Sequence, residues 1–82
     1  MYLVTRRGED GRIKRLHAFD SLDLARWHVA DEIESYVPAG HVRMDLVETA
    51  YAIPPTGAEI TLPDGSSFRV RQARIKEVRQ RD

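Results

Sequence analysis

Cysteine is absent from the 82 residues. That removes disulfide staples, Cys-x-x-Cys redox chemistry and thiolate metal sites together. It fits a reducing compartment, so a cytoplasmic location is the expectation. Long apolar runs are also missing: nothing approaches the roughly 20 residues that a membrane-crossing helix needs. The opening MYLVTRRGEDGR turns charged almost at once, so neither a signal peptide nor a membrane anchor is expected. Bulky side chains are scarce, with one Trp, three Tyr and two Phe. A chain of this length buries only about 60–65% of the surface its unfolded form exposes. One small domain over residues 1–82, thinly stabilised, is the expectation.

Net charge is lacking too, because 13 basic residues balance 13 acidic ones. The balance conceals segregation. Residues 21–64 hold Asp23, Asp31, Glu32, Glu34, Asp45, Glu48, Glu59 and Asp64 against Arg26 and Arg43. Residues 65–82 hold Arg69, Arg71, Arg74, Lys76, Arg79 and Arg81 against Glu77 and Asp82. The ends are basic and the middle acidic. Arginine outnumbers lysine eleven to two, a bias that coding composition alone can produce, so it is weak evidence for chosen guanidinium chemistry.

What is present reads as alternating hairpins around a helix. Tyr2–Arg7 and Arg12–Phe19 form strands joined by Gly8-Glu9-Asp10-Gly11, whose glycines can supply positive φ. A helix follows over Asp20–Val37. Asp20 is placed to cap it, Asp23 falls at N3 and Phe19 with Leu24 at the staple positions. Pro38 and Gly40 end it. Val42–Ile53 is read as a strand whose alternation changes phase, which predicts a bulge near Leu46–Glu48. After Pro54-Pro55-Thr56-Gly57, a hairpin turns at Pro63-Asp64-Gly65. Its register pairs Ile60 with Phe68, Ala58 with Val70, Glu59 with Arg69 and Thr61 with Ser67. Residues 72–82 fit neither a clean strand nor a clean helix, which leaves a terminal strand, a short helix or a frayed tail open. The expected fold is therefore α+β, in the order β-β-α-β-β-β, with a curved, mostly antiparallel sheet and one helix across a face.

The helix poses the functional question. Its apolar stripe is Leu22, Ala25, Val29, Ile33, Tyr36 and Val37, and Trp27 points away from it, among Asp23, Asp31 and Glu34. One reading widens the apolar arc through Ala30 and packs the indole at its edge, with Arg26 snorkelling to solvent. The other makes Trp27 the anchor of a docking face, with Asp23, Asp31 and Glu34 as orienting charges for a basic surface on another protein. A rival from a different class uses Arg69, Arg71, Arg74, Lys76, Arg79 and Arg81 to bind nucleic acid. Arg12, Lys14 and Arg15 extend that patch if the hairpins are neighbours. No outward aromatic is interleaved to stack bases, and Glu59 is expected to pair with Arg69.

Catalytic and metal chemistry find little to work with. His17, His28 and His41 lie on three elements, so no metal and no cofactor are expected, and His28 with Glu32 reads as a surface i,i+4 pair. The serines lack a nucleophile-elbow context, and the acids on the helix lack the desolvation that would raise a pKa. The expectation is a non-enzymatic interaction module, a small regulator or inhibitor. By size alone it compares with accessory subunits and phage-encoded inhibitors of host machinery. Self-association into a homodimer is a third reading.

Overall fold

The structure, a computed structural model, describes residues 1–74. The element order is β1 (Tyr2–Arg7), β2 (Ile13–Phe19), α1 (Leu22–Tyr36), α2 (His41–Tyr51), β3 (Ala58–Thr61) and β4 (Ser67–Gln72). All strand pairs are antiparallel, in the spatial order β2-β1-β4-β3. The fold is α+β as expected, but the described residues form two helices rather than one, in the order β-β-α-α-β-β.

Both hairpins form as their sequences predict. Across the second, Ala58 meets Val70, Glu59 meets Arg69, Ile60 meets Phe68 and Thr61 meets Ser67. Gly65 at φ 87° closes its turn, and Leu62 N–H donates to Ser66 O at 2.8 Å. The Asp64 carboxylate accepts from both the Ser66 backbone N–H and its hydroxyl, which holds the Asp64 pKa below the ordinary carboxylate value. Glu59 and Arg69 face each other without closing an ion pair among the described residues. The hairpins are neighbours through β1 and β4, with Val4 opposite Val70 and Thr5 opposite Arg69.

The segment Val42–Ile53, expected to be a strand, is helical over His41–Tyr51. The apparent phase change was the signature of a 3.6-residue period. Leu46, Val47, Ala50 and Ile53 share one side, and these are the residues buried or half-buried against the core. Met44, at 60% exposure, and Tyr51, at 49%, lie outside that stripe. The start carries no side-chain cap, only Gly40, so the usual entry signal was absent. Burial of Ala50 and Ile53 outweighs the strand preference of Val42, Val47, Thr49 and Tyr51.

Helix α1 begins one residue later than expected. Ser21, not Asp20, is the N-cap and accepts from Leu24 N–H at 3.2 Å. Asp23 therefore sits at N2, and the Phe19–Leu24 staple register is lost, leaving Leu24 exposed. One core lies between the helices and the sheet. Ala25, Val29, Ala30, Ile33 and Val37 meet Ala50 of α2, Ile53 just beyond it, and Val4, Ile60, Leu62, Phe68 and Val70 of the sheet region. Ala25, Ala30 and Ala50 are wholly inaccessible; such small side chains let helix backbones approach closely. Among the described residues, no helix is long and apolar enough to cross a membrane.

Two further expectations fail locally. Tyr36 is exposed, with the Arg6 guanidinium lying 3.8 Å over its ring. Arg26 does not snorkel to solvent: its Nε and a terminal N–H both donate to Ile53 O, the Nε at 2.9 Å, while the other terminal N–H reaches Asp23 at 3.2 Å. This explains how a guanidinium occupies the apolar arc. It serves the carbonyl of Ile53, just beyond the end of α2, and ties the two helices together. Arg26→Met keeps much of the aliphatic stem and removes the donors. It is expected to cost about 1.5–3 kcal/mol, the range for hydrogen bonds to a charged group, read as a lower urea midpoint at unchanged m.

Candidate docking face on the helices

At 100° per residue, Trp27 lies about 160° from the buried Val29. The indole is 54% exposed. Asp23, Asp31 and Glu34 are exposed on the same outward side of α1, so the four residues named from the sequence share one surface. The wider apolar arc also exists, since Ala30 is buried, and Trp27 stands at its border with about half of its surface covered. The second helix contributes what the sequence reading missed. Arg43 donates to Glu34 O at 3.3 Å, bringing the first turn of α2 alongside the last turn of α1. Exposed Val42, Met44 and Tyr51 of α2 join Leu24, Trp27 and Tyr36 of α1, six large apolar side chains carried by the two helices.

Charge on these helices is one-sided. Residues 22–51 carry Asp23, Asp31, Glu32, Glu34, Asp45 and Glu48 against Arg26 and Arg43. Arg26 donates to Ile53 O and pairs with Asp23 at 3.2 Å, and Arg43 donates to Glu34 O. The remaining field is negative around an aromatic centre, which favours a cationic approach. A direct check is available because Trp27 is the only tryptophan. Its emission is expected to be red-shifted and quenched by acrylamide. Cationic caesium should quench it better than anionic iodide at matched ionic strength, because the surrounding carboxylates repel iodide. A blue-shifted, protected emission would place the indole in the core.

The basic residues are divided rather than gathered. Arg7, Arg69 and Arg71 share the sheet face opposite the helices with Leu3, Thr5, Leu16 and Ala18, as the pairing register requires. Arg15 is on the other face, 3.8 Å from Glu32 of α1. Lys14 contacts Asp10 at 3.4 Å, and Arg74 is exposed beyond β4. Lys76, Arg79 and Arg81 lie outside the described residues. That face is covered at Leu3, which is only 2% exposed; no aromatic occupies it among the described residues, so base stacking has no platform there.

The histidines are closer together than their sequence positions suggest. His17 on β2 stacks against His28 on α1 with ring centroids 4.7 Å apart, and Phe19 completes the group at 5.0 Å from His28. Glu32 lies 3.8 Å from His28. Among the described residues, no group of three or more potential ligands could hold a metal. His41 stands apart, exposed at the start of α2.

Burial and the neighbouring His17 push the His28 pKa below its ordinary value, while Glu32 and Asp31 oppose the shift. A base with a lowered folded-state pKa binds fewer protons folded than unfolded. Stability should therefore be full above about pH 6.5 and decline as the pH falls from there through the lower folded value. Urea midpoints between about pH 5 and 8 should show this decline, and His28→Gln should flatten it. An unchanged slope in that variant would assign the acid sensitivity elsewhere. The chain matches no known protein-family model, no curated protein and no solved structure.

Proposed function

We propose that this protein is a non-enzymatic interaction module, a small regulator or inhibitor that docks through its helices onto a basic surface of another protein. The exposed Trp27 within a field of carboxylates carries the reading. In so small a core a tryptophan is normally at least partly covered. Trp27 is about half covered, and its exposed part lies among carboxylates; aromatic anchors ringed by orienting charges are characteristic of binding hot spots. Asp23, Asp31 and Glu34 steer and orient, Trp27 supplies the buried contact area, and Met44 and Tyr51 of α2 widen it. Nothing in this mechanism calls for a cofactor or a metal.

The test compares capture by the intact chain and by two variants, from nuclease-treated lysate of the source cells at low and moderate salt. Trp27→Ala is expected to weaken capture by tenfold or more, since such anchors contribute about 2 kcal/mol or above. The same change should cost no more than about 1 kcal/mol of stability for a half-exposed side chain. A triple Asp23→Lys, Asp31→Lys, Glu34→Lys variant should lose the same partner. Partners retained equally by all three proteins would remove the helix face from consideration.

A second reading, nucleic-acid binding, is favoured by the shared sheet face of Arg7, Arg69 and Arg71 with Arg74 close beyond it in sequence. Such binding must weaken with salt at a log–log slope of roughly −0.9 per phosphate neutralised. Duplex and single-stranded probes that are not retained at low salt would eliminate it.

A further inference from the structure

Among the described residues, strand β2 stands at the edge of the sheet, paired with β1 along Arg15–Phe19 and with no strand on its other side. The opposite edge, β3, is short (Ala58–Thr61) and follows closely on Pro54-Pro55. β2 contains neither proline nor glycine, so its outer N–H and C=O groups form a template for another strand. Its only irregularity is the register shift near Arg7. Charge guards it instead: Lys14, Arg15 and His17 lie on the strand, Arg12 precedes it, and no carboxylate occurs from Arg12 to Phe19.

That pattern discriminates between guests. A second copy pairing antiparallel would bring together two strands that each carry Lys14 and Arg15, with no acid on either strand to compensate. Like charges placed opposite each other are destabilising, so the edge selects against its own kind. We infer that β2 is a docking edge for an extended acidic peptide segment. Pairing continues the sheet, while carboxylates of the guest face Arg15 and His17 on the helix side. Alternate guest residues would meet the half-buried Leu16 and the exposed Ala18 on the other side. Glu32 is the nearby carboxylate, and it is shared between Arg15 and His28 at 3.8 Å each. The Arg15 side chain remains 58% exposed, leaving most of its fork for a guest.

The test uses the full chain and a fluorescein-labelled peptide of about seven residues, alternating valine and glutamate, a typical strand length. Saturable anisotropy at low salt is expected, with slowed amide exchange confined to residues 13–19. Replacing the glutamates by lysines should abolish binding. A peptide of equal charge with prolines at the valine positions should bind roughly tenfold or more weakly, because it cannot donate to the edge. Lys14→Glu with Arg15→Glu should invert the preference toward the lysine peptide. Equal binding of the proline peptide would reduce the contact to diffuse attraction and overturn strand addition. Stronger binding of an oligothymidylate would overturn the peptide as ligand. Trp27→Ala should leave these results unchanged, so failure here and failure of the helix-face reading are distinguishable.

Discussion

Gly57→Ala is expected to lower stability by more than about 3 kcal/mol, combining a left-handed backbone cost with a collision against main chain. Gly57 has φ +96°, and a Cβ placed there would lie 2.2 Å from Val70 O and 3.1 Å from the Arg71 Cα. Both obstacles are backbone of β4, so no side-chain rotation relieves them. The turn is further fixed by Gly57 N–H donating to Pro54 O at 2.9 Å. Relief would require β3 to part from β4, which removes the pairing of Ala58 with Val70 and exposes Ile60. Gly11→Ala provides the control: Gly11 has φ +78° but no atom within 4 Å of the added carbon. It should cost only the backbone term, about 1–2 kcal/mol. Urea unfolding of the two variants separates conformation from collision. If they are destabilised equally, the close approach of Gly57 to β4 is wrong.

Legibility in the sequence followed the locality of the signal. The second hairpin was readable residue by residue because its turn, its apolar face and its charge pairs all demand one register. The second helix was not. Val42, Met44 and Leu46 alternate like a strand, and the helical period emerges only when Ala50 and Ile53 are known to be buried. Alanine is too small to announce itself in a hydrophobicity pattern, yet Ala25, Ala30 and Ala50 are as fully inaccessible as Val29 and Ile33. Reading the phase change as a bulge therefore concealed a helix, and with it the outward Met44 and Tyr51.

The same logic applies to the surface. Trp27, Asp23, Asp31 and Glu34 could be grouped because one helix and a fixed rotation per residue place them. Arg26 could not be understood from α1 alone, since its acceptor, Ile53 O, lies far along the chain. The meeting of His17 and His28 depends on how α1 crosses the sheet, which no local pattern encodes. The His28–Glu32 spacing was visible beforehand; that His17 would share the site was not. Basic residues that cluster in sequence were separated by the pleat, which sends Arg15 and Arg7 to opposite faces.

Phe68→Ala should be the most damaging side-chain truncation, and its contrast with Trp27→Ala tests the division between core and docking surface. Phe68 is the largest fully buried side chain, at 1% exposure, facing Ile60 on β3 and Arg6 on β1. Removing it should cost about 3–5 kcal/mol through lost transfer energy and the cavity left behind. A domain of this length holds only roughly 4–12 kcal/mol in total, so Tm should fall by more than about 15 °C. Phe68→Leu, which refills much of the space, should recover more than half of the loss. The Arg6 guanidinium, 5.5 Å from the Phe68 ring, has a buried Nε with no hydrogen-bond partner among the described residues. Water admitted by the alanine cavity could reach that group, so a cost near the lower end of the range is expected. Trp27→Ala has no such cavity to leave, because the indole already faces solvent. The two aromatics should therefore separate cleanly, one variant unfolding early with its surface intact until it melts, the other folded but unable to capture a partner. Comparable loss of stability in both would mean that the indole supports the α1–α2 packing, and the docking face would then have to be sought around Met44 and Tyr51 alone.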